Sequence, residues 1–282
     1  MKKLVLIDGS NLLFQMFYGM PARIVNRQGR PVHGTVGFVG ALLKILRMLA
    51  PTHAAVLFDG ECENPRRVID PEYKSDREDY SILPEEETPF SQLPDIYAAL
   101  DYLRIPRAET TDCETDDWMA SYARQCGEDW QLTLVSQDSD YFQLIDENVS
   151  VLRYRGSSSV LCDRDYLMEK FGIEPRQYAA FKALTGDPSD HIRGVDKVGP
   201  KTAAALLRQF GDLDAIIARC EEITRPTLRL AVQENRERIL RNFSLIRLDG
   251  AHPLPFVPET LTYTPTALTS AQVLRSIGVL DA

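Results

Sequence analysis

The chain has 282 residues, 44% hydrophobic and 26% charged, which excludes the disordered, fibrous and collagen-like classes and suits one large domain or a domain with a smaller partner. Its formal charge of −9, from 41 acidic against 32 basic residues, argues against a nucleic-acid partner unless the acids are gathered in one place. Five cysteines without a Cys-x-x-Cys pair and four scattered histidines argue against a disulfide framework, a thiolate zinc site and a histidine metal centre, so carboxylates are the candidates for metal chemistry.

In chain order, the apolar run from Lys3 to Ile7 predicts a buried strand ending at Asp8. It is too short for a signal-peptide core or a membrane span, so a cytoplasmic protein with no membrane partner is expected. Thr35 to Ala50 carries an apolar helical face, and Ala54 to Phe58 predicts a second strand, ending at Asp59. Glu61 to Glu87 is polar and charged and reads as a surface loop. Helices are expected from Phe90 to Tyr102 and from near Glu114. Leu132 to Val135, just before Asp138, and Val149 to Tyr154 predict two more strands. Strands alternating with helices imply an α/β fold with a central, mostly parallel sheet flanked by helices. Beyond about residue 160 the pattern turns helical: Arg164 to Phe171, Pro175 to Leu184, Thr202 to Phe210, Leu213 to Cys220 and Arg225 to Arg247. The expected organisation is an α/β core over 1–160, a helical region over 161–250, and over 251–282 a proline-containing tail that wraps the domain and ends in a short helix.

Three strands each deliver acids just past their C-terminal end: Asp8, Asp59, and the pair Asp138 and Asp140. That edge of an open parallel sheet is where ligands bind. Glu114, Asp116 and Asp117 lie at the first turn of a helix, and Asp187 and Asp190 in a loop beside helices. Any one of these acids could equally be a helix cap or a complement to a helix dipole. If all nine converge, their repulsion demands cations. Mg²⁺ or Mn²⁺ suits such hard oxygens, and two ions can flank a phosphate to stabilise attacking and leaving oxygens. Setting nine acids aside leaves the rest of the chain formally neutral, which removes the objection to a nucleic-acid partner.

Gly194 to Ala203 places Gly194 and Gly199 around a tight turn, then Pro200, Lys201 and Thr202 in an opening helical turn. Backbone N–H groups there, with the charge of Lys201, can meet a DNA phosphate. A helical hairpin with no ligand would use similar glycines. Arg66, Arg67, Tyr73, Lys74 and Arg77 mix cations with an aromatic, a combination that could grip single-stranded nucleic acid or simply be a solvated loop.

Ile7 to Leu12, Phe58 to Gly60, Tyr73 to Arg77, Glu114 to Asp117, Asp138 to Asp140, Gly186 to Asp190 and Gly194 to Ala203 together resemble the bacterial 5′-nuclease family of flap endonucleases and 5′–3′ exonucleases. That family includes the nuclease domain of DNA polymerase I and free-standing exonuclease IX-like proteins. The resemblance runs over roughly residues 1–250. It implies a PIN-like nuclease core, a helical arch over the site (about 61–103), and a helix-three-turn-helix (about 185–210) that grips duplex DNA. By the same resemblance Asp8, Asp59, Glu114, Asp116 and Asp138 would hold one metal, and Asp140, Asp187 and Asp190 would help hold the other. Asp117 would stand behind the ligands, Lys74 and Arg77 would be arch cations beside the chemistry, and Arg66 a basic residue before them. K⁺ near 194–199 is implied as well. Gln15 stands where the family pattern has arginine, Ser139 where it has lysine, His191 and Arg193 where it has Asn and Pro, and Val68 where an acid is common.

The expected function is metal-dependent hydrolysis of DNA phosphodiester bonds near 5′ ends or at flap and branch junctions by a monomer. A branched-DNA-binding protein with weak catalysis is the alternative, motivated by Gln15 and Ser139. A haloacid-dehalogenase-type phosphatase would need an aspartate where the chain has Ser10, and would leave the 194–203 turn without a use.

Overall fold

The structure is a computed structural model that describes residues 1–60, 66–75 and 80–281. Arg77 and Cys62 lie outside those residues. Along the chain, β1 (Lys2–Asp8) is followed by α1 (Gly9–Gly19), α2 (His33–Leu49), β2 (His53–Phe58), the four-residue α3 (Arg66–Ile69), α4 (Leu93–Leu103), β3 (Arg107–Glu109), α5 (Thr115–Gln125), β4 (Trp130–Val135) and β5 (Val149–Arg153). Then come β6 (Val160–Cys162), α6 (Arg164–Phe171), α7 (Tyr178–Thr185), the two-residue strands β7 (Gly186–Asp187) and β8 (Ile192–Arg193), α8 (Pro200–Phe210), α9 (Leu213–Ala218), α10 (Pro226–Glu234), α11 (Arg236–Ile246) and α12 (Ser270–Ser276).

The unbroken apolar run of β1 reflects a strand covered on both faces. Leu4 and Leu6 enter one core with Met119, Leu134 and Phe181, while Val5 and Ile7 enter another with Phe38, Leu42 and Val56. The two-residue period thus divides one strand between two layers. The sheet order is β3-β2-β1-β4-β5-β6, parallel through β5, with β6 antiparallel at the edge. Because β2 and β4 flank β1, the chain reverses its direction of progress across the sheet at β1. The crevice beyond the C-terminal ends of these three strands is therefore the topological switch point.

Three local features depart from expectation. A helix follows Asp8 directly, because the Asp8 carboxylate accepts the Asn11 N–H (2.9 Å) and caps α1. The expected helix over 225–247 is two helices, broken at Asn235, whose side-chain amide returns to the Ala231 carbonyl. The stretch read as the start of the helical region first adds β6 to the sheet.

The tail returns to the N-terminal layer. Ala54 N–H donates to the Leu261 carbonyl and Tyr263 N–H to that of Thr52, and Val273, Leu274 and Val279 pack with Val39 and Leu43 of α2. No helix among the described residues is long and apolar enough to cross a membrane.

Candidate metal centre and nucleic-acid interface

Asp8 ends β1, Asp59 follows β2 and Asp138 follows β4, so register alone brings three carboxylates to the switch-point crevice. α5 points its N-terminus at the same place: the Thr115 N–H donates to Asp59 Oδ1 (2.9 Å), which puts Glu114 and Asp116 beside it. The Tyr141 hydroxyl lies 2.5 Å from Asp116 Oδ1 and 3.1 Å from Asp8 Oδ2, and the Ser136 hydroxyl also donates to Asp8 Oδ2 (3.1 Å). A phenol has one proton, so it cannot satisfy two ionised carboxylates at once. Burial, followed by repulsion from Asp59, pushes the Asp8 carboxyl up to about 7. Burial and then Asp138 raise Asp116 well above the usual carboxylate range.

Asp140, Asp187 and Asp190 form a second group, each with a carboxylate oxygen within 4.8 Å of the others and all buried. Asp140 orders itself on Asp138, donating its N–H to Oδ1 (2.8 Å), while Asp187 accepts from the Ser189 N–H (3.0 Å) and hydroxyl (2.6 Å). Between Asp140 and Asp187 sits the Lys182 ammonium, in short contact with both. Burial pushes the Asp140 carboxyl up to about 7 against the pull of Lys182. At Asp187 burial is outweighed by Lys182 and Ser189, and the carboxyl falls below its usual value. Lys182 is raised in turn, its carboxylate partners overcoming its own desolvation.

A hard, oxygen-only donor set whose charge is only partly neutralised fits divalent cations such as Mg²⁺ or Mn²⁺. The raised carboxyls carry a testable consequence. In the folded chain Asp8 and Asp140 retain protons that the unfolded chain releases above 3.8, so their contribution to stability falls as pH rises from there to about 7. Mg²⁺ added to metal-free protein should raise the melting temperature more at about pH 8 than at about pH 5.5, where protons compete for the same oxygens. Equal shifts at the two pH values would contradict the arrangement.

Glu114 is held by two cations: the Lys74 ammonium on Oε1 and the Arg66 guanidinium on Oε2. Arg66 also forks onto Asp117 (2.7 and 3.0 Å) and donates from Nε to the Leu245 carbonyl (3.0 Å). Asp117 additionally accepts the Asp249 N–H (2.9 Å) and is buried behind the crevice.

For Arg66 and Tyr73 the expectation of a direct grip on nucleic acid therefore needs correction, whereas Arg67 is exposed. Arg66 is only 6% exposed, with its guanidinium engaged by internal acceptors, and Tyr73 packs against Ala179, Ala183 and Ile192. Neither presents a charge or a ring to solvent. Lys74 is likewise buried, over the Tyr73 ring and against Glu114.

Among the positions that depart from the family pattern, Gln15 donates from Nε2 to the Tyr154 carbonyl (2.8 Å). His191 takes a left-handed conformation (φ 60°). Arg193 is exposed and pairs with Asp196 (3.1 Å). Ser139 brings no charge, but Lys182 supplies a buried ammonium to the neighbouring Asp140. Sequence reasoning missed Lys182 and Tyr141. The signal for Lys182 was a lone lysine in the apolar run Tyr178 to Leu184, and for Tyr141 a tyrosine directly after Asp140.

The turn between α7 and α8 is pinned by Val195 N–H on the Leu184 carbonyl (2.9 Å) and by Asn242 Nδ2 on the Ala183 and Arg193 carbonyls (3.1 and 2.8 Å). Position 194 must be glycine, since a Cβ there would lie 2.3 Å from the Thr185 backbone. A Cβ at Gly199 would meet open space; it precedes Pro200 at the N-terminus of α8, where Lys201 is exposed and Thr202 half-buried.

Residues 3–172 match the family model described as 5′-3′ exonuclease, N-terminal resolvase-like domain, and residues 173–269 the one described as 5′-3′ exonuclease, C-terminal SAM fold. DNA polymerase I of Rhizobium leguminosarum is 34% identical over 272 residues, covering 93% of this chain and 26% of its own length. DNA polymerase I of Mycobacterium tuberculosis strain H37Rv is 35% identical over 266 residues, covering 93% and 29%. The chain thus spans about a quarter to a third of the length of these relatives. Two solved structures share the fold. The T5 D15 protein co-crystallised with metal ions has a TM-score of 0.72 and 24% identity over 88% of this chain and 90% of its own. The catalytic core of Rad2 with a DNA substrate has 0.61 and 16% over 98% and 93%. Asp8, Asp59, Glu114, Asp116, Asp138 and Asp140 lie in the first matched segment, Asp187, Asp190 and the glycine turn in the second, and the chain belongs to the 5′–3′ exonuclease family.

Proposed function

We propose that the protein is a divalent-metal-dependent DNA 5′-nuclease that hydrolyses phosphodiester bonds near 5′ ends or at flap and branch junctions. The observation that carries this reading is the gathering of Asp8, Asp59, Glu114, Asp116 and Asp138 with the close group Asp140, Asp187 and Asp190 at one sheet edge. Asp8, Asp59, Glu114, Asp116 and Asp138 would hold one Mg²⁺ or Mn²⁺, and Asp140, Asp187 and Asp190 would help hold a second. Bound divalent cations supply Lewis acidity and charge neutralisation to a phosphate.

The chain's own residues do the rest. Tyr141 and Ser136 fix the Asp8 and Asp116 carboxylates in place, Arg66 and Lys74 orient Glu114, and Lys182 keeps Asp140 and Asp187 from repelling each other. Lys201, exposed at the start of α8, meets the duplex backbone. Potassium at 194–199, a monomeric state and a cytoplasmic location belong to the same reading, as does a division into the core 1–160, the helical region 161–250 and the tail 251–282. Support comes from the family membership together with this geometry.

Incubation with a 5′-labelled flap substrate, with Mg²⁺ and with EDTA, is the test. Release of the labelled strand only with Mg²⁺ is expected. Tight flap binding without cleavage under any divalent ion would replace this reading with a DNA-binding one. Lys201→Ala should weaken binding to duplex-containing substrates equally for different sequences and reduce the salt slope of binding by about 1, since a phosphate contact reads charge and not bases. A loss confined to particular sequences would contradict that role.

A further inference from the structure

Besides the carboxylates of the crevice, one further group of side chains among the described residues could ligate a metal, drawn from the two residues that precede Glu114 and from the tail. Asp112, Cys113 and His252 each offer a ligand atom within 4.8 Å of the others. Cys113 is fully buried, Asp112 is exposed, and the His252 side chain is 24% exposed. The site therefore has one deep donor and an open side through which an ion can enter. We infer that Asp112, Cys113 and His252 bind a Zn²⁺-class cation that ties the C-terminal tail to the loop preceding α5.

The donor types set the class of ion. Sulfur with imidazole nitrogen and one carboxylate oxygen favours Zn²⁺ or Co²⁺ and disfavours Mg²⁺, the reverse of the oxygen-only crevice. Zn²⁺ with three protein ligands keeps a fourth position for water. His252 is held for this role: its N–H donates to the Ser121 hydroxyl (3.0 Å) and its carbonyl accepts from Gln125 Nε2 (3.1 Å). Its Nε2 also lies 3.6 Å from Asp249 Oδ2, and a carboxylate beside a metal-binding imidazole fixes the ring. Binding would release the thiol proton to solvent. The loop and the tail are far apart in sequence, so a bound ion would cross-link them and stabilise the tail on α5. This inference does not depend on the nuclease reading.

The test uses the full-length protein with Mg²⁺ in excess, so that the oxygen sites are filled, and titrates Co²⁺ against it. Co²⁺ bound through sulfur gives a near-ultraviolet charge-transfer band, whereas Co²⁺ on carboxylates does not. One equivalent of this band is expected in the wild type and in Asp140→Asn. It should vanish in Cys113→Ser, and the Co²⁺ affinity should fall at least tenfold in His252→Ala. Zn²⁺ should raise the melting temperature of the wild type but not of His252→Ala. His252 is partly exposed, so its variant keeps the test valid if Cys113→Ser does not fold. No band in the wild type, a band that persists in Cys113→Ser, or wild-type affinity in His252→Ala would each overturn the inference.

Discussion

Asp140→Asn and Asp187→Asn are each expected to slow flap cleavage by at least about 10²-fold while DNA affinity holds or rises. Removing even the groups that orient metal ligands costs roughly 10- to 100-fold, and these two carboxylates would be ligands themselves. Each substitution also removes a negative charge that repels the phosphate. The fold should persist, because an asparagine carbonyl can still accept from Lys182 and, at 187, from the Ser189 N–H. Asp163→Asn, at the N-cap of α6 away from the crevice, should cleave at the wild-type rate. Single-turnover cleavage in Mg²⁺ and anisotropy in EDTA separate the two effects. Full cleavage by both variants would reject the metal assignment, whereas unchanged binding alone would not.

Without divalent cations, Lys182→Met should destabilise the protein by about 3–5 kcal/mol at neutral to alkaline pH, the usual cost of removing one partner from a buried ion pair. Lys182 is only 7% exposed and its ammonium touches both Asp140 and Asp187, so solvent screening does little to soften the loss. For a chain of this size that corresponds to a drop in melting temperature of roughly 10 °C. Acidification should shrink the loss, because the Asp140 carboxyl, already pushed up to about 7, takes a proton in place of the missing ammonium. Mg²⁺ should recover much of it, since a cation can then balance the same oxygens. A melting temperature within about 2 °C of wild type at pH 8 in EDTA would mean that these buried pairs are not made in solution.

The recurring signal legible in the sequence was an apolar run ending in an acid. A parallel strand covered on both faces has to be apolar along its length, and the chain leaves it at the edge where ligands bind. Leu4 to Asp8, Ala54 to Asp59 and Leu132 to Asp138 therefore marked both the sheet and its crevice. Helices such as Arg164 to Phe171 were equally visible, because their apolar spacing is a property of a short segment.

Side chains whose role depends on distant partners were not legible. Arg66 and Tyr73 read as an exposed nucleic-acid grip, yet α5, α7 and α11 supply Asp117, Ala183 and the Leu245 carbonyl that draw them inward. Lys182 lies in an apolar helical run and becomes a counter-ion only when Asp140, from the segment after β4, is packed against it. The closeness of His252 to Cys113 was equally hidden, because only the returning tail brings the two together. Local sequence determined the strands β1, β2, β4 and β5, most of the helices and the edge where the acids gather, but not the short strands β3 and β6 that complete the sheet. The tertiary structure alone decided which charges are neutralised within the protein and which face solvent, because desolvation and pairing depend on groups brought together by packing, far apart in the chain.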